Sequence, residues 1–94
     1  MENVKLEFIN LSELEQDFDS NNFVVCFDDF REKVESYIND EVSSMRYDEH
    51  YSFQFKVPWA DSEGFACYFF DSWITNVNDE SVCYIKLIGF YPDY

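Results

Sequence analysis

Val4, Leu6 and Phe8 alternate with Lys5 and Glu7, the pattern of a short half-buried strand. Asn10 or Ser12 can cap the segment that follows, and Ser12-x-x-Glu15 matches a capping box. Leu11, Leu14 and Phe18 then share one face of a short helix, and Asp19-Ser20-Asn21-Asn22 is a turn cluster. Phe23-Val24-Val25-Cys26-Phe27 reads as a short apolar strand. Asp28 and Asp29 open the strongest helical pattern, with Phe30, Val34, Tyr37, Ile38 and Val42 in one stripe and Ser43-Ser44 at its end. From there the period changes to two. Tyr51, Phe53, Phe55 and Val57 alternate with Ser52, Gln54 and Lys56, and Pro58 to Gly64 is a turn. Phe65 to Ile74 is apolar on both faces, which predicts a central strand covered on both sides. Asn76 to Asp79 makes the next turn, and Val82 to Tyr91 is a final strand. Strands that follow helices predict an α+β fold. The expected architecture is an antiparallel sheet of four or five strands with a C-terminal three-stranded meander, packed against one main helix and one short helix.

The chain has 94 residues, enough for one domain. Leu, Ile, Val and Phe make up about 30% of it, above the level at which charged chains stay disordered. Charge changes the picture most. Twenty acids face six bases, a formal net of -14. Solubility needs a magnitude of only about 2–8 in a small domain, and a larger one strains the fold through self-repulsion. The excess argues for use, and its sign argues against direct binding to nucleic acid or an anionic membrane. Met1-Glu2-Asn3 begins no leader pattern and no run approaches the roughly 18 apolar residues of a membrane span, so a cytoplasmic protein is expected. Three cysteines (Cys26, Cys67 and Cys83), without C-x-x-C spacing, are expected to be reduced. With the last turn centred on Asn76 to Asp79, Cys67 falls opposite Ile88 and not Cys83.

The acids are placed unevenly. Residues 1–49 hold 14 acids and 4 bases, against 6 and 2 in residues 50–94. At about 100° per residue, Asp28, Glu32 and Glu35 form a narrow row that Asn39 continues, away from the apolar stripe. Glu13 and Asp17 make a similar i, i+4 pair on the first helix, and Asp29–Lys33 is spaced as a compensating ion pair. A charge run commonly means no more than a solvated face. Here it also forms a ladder that would compete with a phosphate backbone for Lys and Arg.

Catalytic hardware is sparse. His50 is the one histidine, and Gly64 and Gly89 are the two glycines, so no phosphate-cradling loop is present. Asp17, Asp19 and Asn21 occupy positions 1, 3 and 5 of a calcium loop with Asp28 at position 12. Asn22 stands where that loop needs glycine, however, and no cofactor or metal is expected. Phe53, Phe55, Phe65, Phe69, Phe70 and Trp73 read as core. Tyr91 and Tyr94, in a chain end beside Asp93, have the composition of a binding rim.

By size and charge alone the chain resembles phage counter-defence proteins such as anti-CRISPRs and DNA mimics, and also acidic immunity proteins that neutralise nuclease toxins. The resemblance rests on no motif and transfers no residue. It implies a non-enzymatic inhibitor of a basic, nucleic-acid-binding partner, acting in the host cytoplasm if phage-encoded, through Asp28, Glu32, Glu35, Glu13 and Asp17 or through Tyr91 and Tyr94. Immunity to a nuclease toxin is the alternative, and a small metal-binding module the second alternative. The oligomeric state is open.

Overall fold

The structure, a computed structural model, describes residues 4–93. Met1–Asn3 and Tyr94 lie outside the described residues. The period-two segments form three long strands: β2 (Tyr51–Pro58), β3 (Phe65–Val77) and β4 (Glu80–Asp93). They pair antiparallel in sequence order, the expected meander. The β3–β4 turn is tighter than Asn76 to Asp79. Only Asn78 and Asp79 connect the strands, with φ of 51° and 67°. Asn and Asp tolerate this left-handed region, and two such residues in succession match the twist of a hairpin. A bulge at Ile88 then shifts the register, so Cys67 faces Tyr91 rather than Ile88, while Cys83 faces Ile74.

The first alternating segment is β1 (Lys5–Phe8). It lies parallel to β4, Lys5 opposite Val82 and Phe8 opposite Ile85, giving the order β1-β4-β3-β2 and a mixed sheet. Asn10 ends it. No side-chain capping bond forms at α1 (Leu11–Asp19), and the Ser12–Glu15 box is not made. Instead the Asn10 amide donates to the carbonyl of Leu87 (3.2 Å) and accepts from its N–H (3.0 Å), imitating one more residue of strand.

The second helix, α2 (Phe27–Glu41), begins one residue before Asp28 and runs into a 3₁₀ turn, Val42–Ser44. Phe23–Phe27 is not a strand. Phe23 makes one bridge to Trp59 and is buried, Val24 and Val25 point outward, and Phe27 is already the first buried residue of α2. A five-residue run split in this way between core, water and helix has no remaining strand face.

Leu14 and Phe18 from α1, and Phe27, Phe30, Val34 and Ile38 from α2, enter one core with Phe55, Val57, Tyr68, Phe70, Ile74 and Ile85. Rings dominate it. Phe18 lies 4.8 Å from Phe23 and 4.9 Å from Phe30, and Phe30 lies 5.3 Å from Tyr68. Both helices therefore cover the same face of the sheet. β3 is not covered on both sides as its composition suggested. Its even-numbered residues meet the helices, and Phe65, Phe69 and Trp73, read above as core, are half-buried on the other face. Phe55 and Phe70 are core as expected, and Phe53 packs against it.

Two polar contacts inside this packing are satisfied internally. Ser72 donates its hydroxyl to the carbonyl of Tyr84 (2.8 Å). The phenol of Tyr68, fully buried in mid-β3, donates to the Asp17 carboxylate (2.7 Å). Burial, and then the hydrogen bond to Asp17 and its negative charge, hold Tyr68 far above the ordinary tyrosine range. The unfolded chain ionises it near pH 10, so this stability is fully present below about pH 10 and falls by about 1.4 kcal/mol per pH unit above it. In denaturant titrations across pH, Tyr68→Phe is expected to remove that part of the alkaline slope. At neutral pH it is expected to cost about 1.5–3 kcal/mol, the range for a hydrogen bond to a charged group. An alkaline slope equal to wild type would refute this account.

Cys67 is buried on the outer face of the sheet and Cys83 on the helix face, where burial raises its thiol pKa. Cys26 is exposed at the start of α2. Cysteines on opposite faces of one sheet cannot bridge. Intact mass under non-reducing conditions is expected to show three thiols, and a native mass two hydrogens lighter would contradict it.

Candidate partner-binding surface

Asp28, Glu32 and Glu35 stand on the side of α2 that overhangs β1. With Arg31, Ser36 and Asn39 they wall a shallow open groove that also takes in Leu6. Asp28 and Glu32 are exposed. Glu35 is half-buried, and Arg31 donates to it at 2.8 Å, so the i, i+4 ion pair of α2 is this one rather than Asp29–Lys33. The Arg31 guanidinium also lies over the Phe8 ring, 5.8 Å from its centroid. The ladder is thus continuous in geometry but partly neutralised at Glu35, leaving Asp28 and Glu32 as its uncompensated charges.

Glu13 and Asp17 line a second groove, against Leu87 to Phe90 of β4. β1 is four residues long and pairs only with Val82–Ile85, so the later half of β4 has no strand beside it and α1 forms the groove's other wall. The two acids differ. Glu13 is exposed, whereas Asp17 is half-buried and holds the Tyr68 phenol, a structural task that its place in a charge pattern does not reveal. Both grooves open on the β1–β4 margin of the molecule, and α1 places Glu13 and Asp17 along it and α2 Asp28, Glu32 and Glu35. Tyr91, 63% exposed, projects from the same β4 segment but from the opposite face of the sheet. Tyr94 lies outside the described residues.

Two residues of the calcium-loop pattern, Asp17 and Asn21, make other contacts. Asp17 and Asp19 lie within α1, the backbone carbonyl of Asp17 accepts from Ser20 and Asn21, and Phe23 is packed on Trp59 at 4.8 Å. Among the described residues no group of three or more His, Cys, Asp or Glu is placed to hold a metal ion.

Sequence reasoning missed the outer face of the sheet. The register gathers Phe65, Phe69, Trp73, Tyr84 and Tyr91 there. His50 stacks on Trp73 at 4.6 Å while bonding Asp71 through Nδ1 (2.8 Å), and Trp73 tilts against Tyr84 at 5.6 Å. Phe69 lies against Gly89, where an added Cβ would sit 3.7 Å from the ring, an aromatic covering a glycine across the strand pair. The apolar residues at odd positions of β3 (Phe65, Cys67, Phe69 and Trp73) were the available signal, but they fit equally a face that a second layer covers.

No helix among the described residues is long and apolar enough to cross a membrane. No protein-family model, no curated protein and no solved structure matches this chain.

Proposed function

We propose that the protein is a non-catalytic inhibitor that lays its acidic helix layer on the basic, nucleic-acid-binding surface of a partner protein, in a phage-type counter-defence role. One observation carries this reading. Four acids drawn from the two helices, Glu13 on α1 and Asp28, Glu32 and Glu35 on α2, are ranged along one margin of the molecule, with Arg31 the cation among them. A surface of this kind offers Lys and Arg the alternating acceptors they meet on a phosphate backbone. It also draws a basic partner by long-range attraction, which raises the association rate. The helices rest on a packed aromatic core, so the charges are held in fixed geometry.

The test is capture of basic nucleic-acid-binding proteins from a bacterial host lysate on the immobilised protein, with graded salt and duplex DNA as competitors. Captured protein is expected to be released by duplex DNA and by salt, since screening shortens to about 3 Å at 1 M. Asp28→Asn or Glu32→Gln alone is expected to weaken binding roughly two- to fivefold, as for other exposed rim charges. The Asp28→Asn/Glu32→Gln/Glu35→Gln variant is expected to lose most of the association rate while its fold stability is unchanged, because like-charge repulsion along the helix is relieved as the Arg31 pair is lost. If the triple variant captures as wild type at every salt concentration and Tyr91→Ala abolishes capture, the acids are a solvated face and this reading fails.

A further inference from the structure

We infer that the open aromatic face of the sheet is a dimerisation surface, occupied by the same face of a second copy of this chain. Two twisted sheets with one bare face each can pack about 10 Å apart as a sandwich, and three of the four strands here are antiparallel neighbours. The bare face here is a row of rings, Phe65, Phe69, Trp73, Tyr84 and Tyr91, on the side of the sheet away from both helices. Tyr and Trp are the residues that interfaces concentrate.

Charge selects the occupant. The chain as a whole carries -14, yet this face is close to balance: Lys5, Lys56 and Lys86 stand among Glu7, Asp71, Glu80 and Asp93. Lys56 lies over the Phe65 ring, 4.5 Å from its centroid. A basic partner is drawn to the helices, where the uncompensated acids are. Nucleic acid uses rings and lysines on a sheet too, but three lysines among four acids offer phosphate no net attraction. A second copy meets neither objection. Face-to-face packing sets a near-neutral mosaic on itself and sends the two acidic helix layers to opposite outsides. With sheets and helix layers each about 10 Å apart, those layers are about 30 Å from one another, several Debye lengths at physiological salt.

The area is sufficient. Strands of 4, 14, 13 and 8 residues, at about 3.3 Å rise and 4.8 Å spacing, make a face of about 600 Å². Two such faces bury about 1,200 Å², the lower bound of a standard stable interface. The dimer is therefore of modest affinity.

The experiment is sedimentation equilibrium of the whole chain, from about 5 μM to about 0.5 mM, in about 50 mM and about 1 M NaCl. Wild type is expected to approach twice the 11.3 kDa of one chain, and to associate as well or better at high salt, where residual repulsion is screened. Salt thus acts on this interface in the opposite sense to the acidic helix layer, so the two readings can fail separately. Tyr91→Glu, at a largely exposed position, and Lys56→Glu/Lys86→Glu are each expected to raise the dimer dissociation constant at least about tenfold with unchanged circular dichroism. Asp28→Asn/Glu32→Gln is expected to dimerise as wild type. A wild-type monomer throughout the range overturns the proposal, as does a dimer that survives both face variants or one that salt dissociates. A monomer whose capture of basic proteins is lost in Tyr91→Glu also overturns it, and assigns the face to a different protein.

Discussion

The phenol of Tyr68 and the rings around it join every layer of this protein. The residue is in the middle of β3, opposite Phe55 on one side and Phe90 on the other. Phe18 of α1 and Phe30 of α2 pack on it from the helix side, and Phe23 reaches it from the loop between them. Its hydroxyl, buried among carbon, has to be satisfied, and Asp17 is the group that does so. Together with the burial of Leu14 and Phe18, this hydrogen bond orients α1 over the sheet with Glu13 toward the β4 groove. The acidic margin thus depends on a contact that is itself internal.

Much of the fold was legible because the signals were local. Strict alternation in Tyr51–Val57 and the stripe from Phe30 to Ile38 name a strand and a helix without help from the rest of the chain. What was not legible depended on partners far away in sequence. Nothing in Lys5–Phe8 says that it pairs parallel with β4, and nothing in Asn10 says that its amide will serve Leu87 rather than cap a helix. Phe23–Phe27 has strand composition but is divided among three environments. Phe65, Phe69 and Trp73 at odd positions of β3 indicate a need for cover without saying whether this chain supplies it. The candidate site shows the same division. Helical spacing places Asp28, Glu32 and Glu35 in one row, but Arg31 as the partner of Glu35, and Asp17 as the acceptor of Tyr68, are facts of packing.

The distribution of charge is as informative as its total. The helices carry uncompensated acids on the side away from the core, and the outer sheet face mixes three lysines with four acids among its aromatics. The protein consequently has two surfaces of different character back to back, separated by one layer of sheet and one of helix. Each offers a partner a different balance of forces, long-range attraction on one side and desolvation of aromatic rings on the other.

The pairing of β1 with β4 joins residues 5–8 to residues 82–85, nearly the full length of the chain. Such a contact cannot form during synthesis until the last strand has left the ribosome, and closing so long a loop has a substantial entropic cost before the hydrogen bonds offset it. The helices and the β2–β3 hairpin can assemble earlier from local contacts. β1 therefore depends on β4: a nascent or truncated chain that lacks β4 leaves β1 without that strand and the Asn10 amide without Leu87. By the same argument the β1–β4 pairing, with partners 77 residues apart, is slower to close than either helix.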